Sequence, residues 1–91
     1  MIYETKNHKL VLENGEAFEI NDLEYKFLIA ISNENTTSFK EIAKYIYSSS
    51  SSRYIENVRN IKRRLISRIK DLKIKTISNF GYKLETTISY I

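Results

Sequence analysis

The sequence has 91 residues with 42% hydrophobic and 29% charged residues, so it can form one domain with one core, and disorder is excluded as the default state. The lack of cysteine, the single histidine, His8, and only two glycines exclude disulfides, thiolate catalysis, multi-histidine metal sites and Gly-rich phosphate loops. The net charge is +4. The sequence has no signal-peptide pattern and no apolar run near the ~20 residues of a membrane span. We therefore expect a cytoplasmic domain without membrane association.

The first twenty residues predict short antiparallel strands. Residues 8–12 are typical of a strand, residues 17–20 alternate in polarity, and Asn14-Gly15 between them tolerates the positive φ of a hairpin turn. An earlier strand can run through residues 2–4. We therefore predict an N-terminal antiparallel sheet over residues 1–20.

Two helices are predicted next, each opened by a capping box. Asn21 with Glu24, and Ser38 with Glu41, have the spacing in which a side chain caps the helix and an acid three residues on reaches back. Apolar residues then recur at helical spacing, including Leu23 in the first helix. Residues 36–37 between the helices can form a short strand or a loop.

A loop of five serines, residues 48–52, separates the second helix from a long third helix. The last serine can cap this helix, which we place at about residues 53–70. A narrow apolar stripe runs along it. The stripe consists of Tyr54, Val58, Ile61, Leu65, Ile69 and Leu72.

A C-terminal hairpin completes the chain. Residues 74–78 and 82–86 alternate around a turn at 79–81, and the second strand can continue to Ile91. We therefore predict one α+β domain over residues 1–91, with strands at 1–20, a three-helix core at 21–73 and a hairpin at 74–91. Two helices, a long third helix and a terminal hairpin are typical of a winged helix-turn-helix, in which the third helix enters the major groove of DNA.

The positive charge is concentrated in one segment. Residues 53–75 contain nine lysines or arginines and two acids, a net charge of +7, whereas residues 1–52 carry a net charge of −3. This distribution favours a polyanionic partner, nucleic acid before an anionic membrane surface. A solvated basic helix face is the alternative interpretation.

Three stretches of the chain resemble the C-terminal effector domain of OmpR/PhoB-type bacterial response regulators. Residues 20–28, INDLEYKFL, are similar to the family's first-helix pattern L-T-x-x-E-x-x-L-L. Residues 54–65, YIENVRNIKRRL, are similar to V-D-V-H-I-R-R-L-R-K-x-L, the recognition helix. Residues 74–84, IKTISNFGYKL, are similar to I-x-T-V-R-G-x-G-Y-R-L, the wing, which is the most specific of the three.

The resemblance implies a fold and a function. The fold is a four-stranded N-terminal sheet, a three-helix core and a hairpin wing. The function is promoter binding by a two-component response regulator that controls transcription, without a cofactor, a metal or enzymatic activity. Family members bind direct repeats of double-stranded DNA as two copies, and we expect the isolated domain to be monomeric off DNA. The receiver domain is absent, so the chain corresponds either to an excised effector domain or to a standalone regulator.

The resemblance also implies site residues. DNA-facing positions of the family match Arg53, Asn57, Arg59, Asn60, Lys62, Thr76 and Ser78. The family's loop before the recognition helix often meets RNA polymerase, which here corresponds to Ser48, Ser49, Ser50, Ser51 and Ser52. At the position of Ser78 the family often has an arginine, which can enter the minor groove. A serine is shorter and carries no charge, so this wing differs from the family there.

Side-chain chemistry adds further candidates. The amides of Asn57 and Asn60 can each bond adenine N6 and N7 together. Arg63 and Arg64 can read guanine or hold phosphate, and Lys75 is a candidate phosphate contact. Beyond these, we expect Arg68, Lys70 and Lys73 to be solvated. The alternative function is a winged-helix protein-interaction module with weak, nonspecific DNA binding.

Overall fold

A computed structural model describes residues 1–91 as three helices and seven strands. The helices are α1 (Asp22–Ile31), α2 (Phe39–Tyr47) and α3 (Ser52–Arg68). The strands are β1 (Ile2–Glu4), β2 (Lys9–Val11), β3 (Ala17–Glu19), β4 (Thr37–Ser38), β5 (Ile74–Ile77), β6 (Gly81–Leu84) and β7 (Ser89–Tyr90). None of the helices is long and apolar enough to cross a membrane.

The N-terminal sheet has the strand order β3-β2-β1-β7. β1, β2 and β3 are antiparallel, as predicted, but β7 pairs with β1 in parallel, so the sheet is mixed. The prediction that the C-terminal hairpin extends to Ile91 is therefore wrong. The hairpin ends at Leu84, and the last residues return to the first strand because Tyr90 packs beside Tyr3 there.

The first helix begins with the predicted capping box. The Asn21 side chain accepts from the Glu24 backbone N–H, and the Glu24 carboxylate accepts from the Asn21 backbone N–H. Leu23, which the apolar spacing assigned to the core, is instead exposed, and Glu24 is buried. The buried face of α1 therefore consists of Glu24, Phe27, Leu28 and Ile31.

The caps of the other two helices differ from the prediction. Ser38 caps α2 through the backbone N–H of Glu41, but the Glu41 carboxylate accepts from the Ser38 hydroxyl, so only half of the capping box forms. At α3 the N-cap is Ser51 rather than Ser52, and its side chain makes no capping hydrogen bond.

The apolar stripe of α3 was predicted correctly at its centre. Val58, Ile61 and Leu65 are buried against α1 and α2. The helix ends at Arg68, and the stripe continues past that end because Ile69 and Leu72 are also buried. Together the helices and both sheets enclose a core of 17 buried apolar side chains.

The second sheet has the order β4-β6-β5 and joins the hairpin to the helices. The two-residue strand β4 is the short strand foreseen between the first two helices. Gly81 in β6 lies so close to β4 that a Cβ atom there would meet Thr37 O at 1.9 Å. Tyr82, the next residue, packs edge-on against Phe27 of α1 and Phe39 of α2, which fixes the hairpin against these two helices.

Candidate nucleic-acid interface

The basic helix α3 exposes two rows of polar side chains on either side of its buried stripe. One row, spaced by four, three and four residues, lies on the flank of the stripe away from the hairpin. It consists of Arg53, Asn57, Asn60 and Arg64. The other row faces the hairpin and consists of Arg59, Lys62 and Arg63, with the apolar Ile66 beside them.

Two members of the first row, Arg53 and Asn60, make local side-chain contacts. The guanidinium of Arg53 lies 5.5 Å from the ring centroid of Tyr54. Arg63, at the border of the two rows, donates from NH1 to Asn60 Oδ1 at 2.9 Å. Arg64 is exposed and forms neither an ion pair nor a side-chain hydrogen bond. Guanidinium and amide donors therefore cover this side of α3.

A shallow groove separates α3 from the hairpin. The predicted residues Arg59, Lys62, Arg63, Thr76 and Ser78 all line it. Phe39, Ile66, Asn79 and Tyr82 complete the lining. The structure thus brings half of the ten predicted DNA-contacting residues into one groove, and Asn60 joins them through its hydrogen bond to Arg63.

Aromatic rings orient the two cations deepest in this groove. The Arg59 guanidinium lies 5.0 Å from the ring centroid of Phe39, and its NH1 is 3.5 Å from Glu56 Oε2. Lys62 Nζ lies 5.6 Å from the ring centroid of Tyr82, within the range of a cation–π contact. The rings hold both charges at the groove without neutralising them.

Most of the basic segment has no acidic partner. Of the nine cations in residues 53–75, only Arg59 and Arg68 form ion pairs.

Burial raises the pKa of Tyr82, while the charges of Arg59 and Arg63 oppose that rise. Tyr82 is therefore neutral near pH 7, and the groove keeps its positive charge.

Lys75 is separated from the groove by the pleat of the hairpin. Side chains alternate between the two faces of a strand, and Thr76 and Ser78 face the groove. Lys75 therefore projects from the opposite face, where it stands directly across from Lys83. Neither lysine forms an ion pair with an acid. The two lysines form a second basic site, separate from the other predicted residues.

The serine loop is braced at both ends by tyrosines. Tyr47, at the end of α2, stacks on Tyr54 in the first turns of α3 with ring centroids 4.7 Å apart. Ser48 adopts a left-handed conformation that ends α2, and the Ser51 backbone N–H donates to Ser49 Oγ at 3.4 Å. The polymerase contact of residues 48–52 stays a prediction.

One expectation about the basic segment is wrong. Arg68 is partly exposed but not free in solvent, because its guanidinium forms a bidentate pair with Glu24, NH1 to Oε2 at 3.0 Å and NH2 to Oε1 at 3.1 Å. It also donates to the Glu19 carbonyl at 2.9 Å. Arg68 therefore joins the end of α3 to the start of α1 and serves the fold.

Sequence reasoning missed the neutral residues of the groove. Phe39, Asn79 and Tyr82 were not among the predicted site residues, although each borders the cations. Their dual role depends on contacts between α2, α3 and the hairpin, which are far apart in sequence. The Asn60 to Arg63 spacing of three was a detectable local signal, since such neighbours meet on one helix face.

Comparison with known proteins supports the fold. The chain superimposes on the DNA-binding domain of Bacillus subtilis CssR with a TM-score of 0.74 and 23% identity, over 88% of this chain and 93% of that one. The sequence matches no protein-family model and no curated protein. The predicted α+β winged helix-turn-helix fold is therefore confirmed.

Proposed function

We propose that this domain binds double-stranded DNA at promoters in a sequence-specific manner and thereby controls transcription as the effector of a two-component response regulator. The observation that carries the proposal is the set of unpaired cations on α3 and along its groove with the hairpin. A helix of 17 residues is long enough to lie in a major groove, with the hairpin beside the adjacent backbone. The similarity to a domain described as DNA-binding supports the same role.

Within this proposal the residues divide by chemistry. Arg53, Arg59, Lys62 and Arg64 contact phosphates, because cations at the borders of such a helix meet the backbone first. Lys75 contacts a phosphate from the outer face of the hairpin. Asn57, Asn60 and Arg63 face the base edges. Thr76 and Ser78 supply hydroxyl groups to the backbone from the hairpin. The role is binding without catalysis, and two copies occupy a direct repeat.

The test is binding to mixed-sequence duplex DNA across a salt series, followed by selection of preferred sites from the same pool. We expect log K to fall against log salt with a slope of about −4 to −7, since each neutralised phosphate contributes about −0.9. Arg64→Ala should make the slope shallower by about 1. Lys9→Ala, on the N-terminal sheet, is the matched control and should leave it unchanged. An enriched direct repeat supports the proposal, and a steep slope without enrichment reduces it to nonspecific binding.

A protein-interaction module is the second candidate, and the hairpin favours it. The hairpin side of the groove presents Thr76, Ser78 and Asn79, which carry hydroxyls and an amide but no cation for the minor groove. This candidate predicts weak binding that disappears at physiological salt. Selective binding in the nanomolar range at that salt would eliminate it.

A further inference from the structure

We propose that Arg63 reads a guanine in the major groove and that Asn60 is a positioning residue that holds Arg63 in place. This inference rests on the proposed DNA binding and assigns the base that α3 recognises. It replaces the interpretation in which Asn60 itself reads adenine.

The hydrogen bond between the two side chains carries the inference. Arg63 NH1 donates to Asn60 Oδ1 at 2.9 Å across one turn of α3. To read adenine through two bonds, an asparagine must accept from N6 and donate to N7. One of the two lone pairs of Asn60 Oδ1 already accepts from Arg63, so an adenine N6 that approaches this oxygen competes with the guanidinium for the same side of the amide.

Arg63 has the properties of a guanine reader. It is exposed and forms no ion pair, so its remaining N–H groups are available. Guanine presents two acceptors in the major groove, O6 and N7, and the fork of an arginine matches both. Because Asn60 holds one nitrogen, the guanidinium loses less conformational freedom when it binds.

The neighbouring arginines lack this combination. Arg59 is tied to Glu56 and lies over Phe39. Arg64 is exposed and has no partner that orients it. Arg53 lies over Tyr54 without an acid, but it does not line the groove. Arg63 is the one arginine of α3 that is hydrogen-bonded to a neutral side chain, free of an acid and at the border of the groove to the hairpin.

The experiment measures base preference in the intact domain with four variants. After site selection, the affinity for the preferred duplex is compared with that for duplexes in which one base pair at a time is replaced. We expect one guanine whose replacement weakens wild-type binding by roughly 5- to 150-fold. Arg63→Lys keeps the charge but lacks the planar fork, so it should weaken this preference, whereas the control Arg64→Lys should leave the preference unchanged.

The variant Asn60→Asp distinguishes the two possible roles of Asn60, which are to hold Arg63 in place and to contact a base directly. A carboxylate still accepts from Arg63 but cannot donate to a base, so the guanine preference should persist while the added negative charge weakens binding to all duplexes alike. Asn60→Ala removes the acceptor and should lower the guanine preference by roughly 2- to 10-fold.

Two results would overturn the assignment. One is a preference for adenine that both Asn60 variants abolish and Arg63→Lys retains, which would make Asn60 the reader. The other is a loss of affinity in Arg63→Lys that is equal for every duplex, which would make Arg63 a phosphate contact. Failure of the proposed function is distinguishable, because the domain would then not bind even mixed-sequence DNA at low salt.

Discussion

Glu24 is a carboxylate in the core, with only 2% of its surface exposed. Burying a carboxylate is costly unless its oxygens are paired and hydrogen-bonded. Both oxygens meet this requirement, since Oε1 accepts from the Asn21 backbone and from Arg68, and Oε2 accepts from Arg68. One side chain thus caps α1 and fixes the end of α3.

Arg68→Ala should destabilise the domain by about 3 kcal/mol, because it leaves the buried Glu24 carboxylate without its cation. The free energy of unfolding from urea denaturation measures this change. Arg64→Ala removes an arginine that has no partner on the same helix and should stay within about 0.5 kcal/mol of wild type. Equal losses in the two variants would show that the Glu24 pair adds nothing to stability.

Local patterns predicted the cap of α1 but not the partner of Glu24. The spacing from Asn21 to Glu24 is a short-range signal, and the structure confirms it. The pairing with Arg68 joins residues 44 positions apart, and no periodicity indicates such a contact. For the same reason the apolar spacing placed Leu23 in the core. That spacing carries no information about Arg68, whose charge allows Glu24 to be the buried residue.

At the scale of the elements, the hairpin depends on two residues with different tasks. Asn79 provides the left-handed turn with φ 58°, which asparagine tolerates. Gly81 was predicted as part of that turn, but it does not have positive φ and instead allows β6 to approach β4. The absence of a side chain at Gly81 is therefore a requirement of packing.

Gly81→Ala should destabilise the domain by about 3 kcal/mol, because the added methyl group collides with the backbone of Thr37. Thermal unfolding followed by circular dichroism measures the effect. Gly15→Ala is the comparison, since Gly15 has open space around it and only its φ of 93° is unfavourable. That change should cost about 1 kcal/mol. A smaller loss at Gly81 than at Gly15 would contradict the packing argument.

Helices and hairpin were predictable because their signals lie within a few residues of one another. The strand β7 was not, because two residues carry no pattern of their own and their partner is at the other end of the chain. The candidate site follows the same division. The basic face of α3 was evident from charge and spacing, whereas its groove with the hairpin arises from the packing of Tyr82.

At the scale of the whole molecule, a cluster of tyrosines joins the first strand, α1 and the last strand. Tyr3 stacks on Tyr25 with centroids 4.7 Å apart, and Tyr90 contacts both rings. The Tyr90 hydroxyl also shares a hydrogen bond with Ser32 at 2.6 Å. These rings fasten the N-terminal sheet to the helices.

Stability should fall as the pH rises above about 10. Burial raises the pKa of Tyr3, Tyr82 and Tyr90 above the usual 10.0, so the folded state keeps these protons to higher pH than the unfolded chain does. Below that pH both states are protonated, and the full stability is present. Between the unfolded and folded pKa values, each such tyrosine lowers the free energy of unfolding by up to about 1.4 kcal/mol per pH unit.

Tyr3→Phe should make this alkaline loss of stability shallower. Urea denaturation at pH 8 and at several values above 10 measures the dependence, with Tyr45→Phe, at an exposed tyrosine, as the control for loss of one hydroxyl. An unchanged dependence in Tyr3→Phe would refute the role of Tyr3.

The parallel pairing of β7 with β1 also determines how the domain responds to mechanical force. The backbone bonds that join the two terminal segments include those from Ser89 to Met1, from Ile91 to Tyr3 and from Thr5 to Ile91. The chain enters at one end of this strand pair and leaves at the other, so tension applied between Met1 and Ile91 acts along the strands. The bonds are then loaded together in shear, and they rupture as a group before tension reaches the helices.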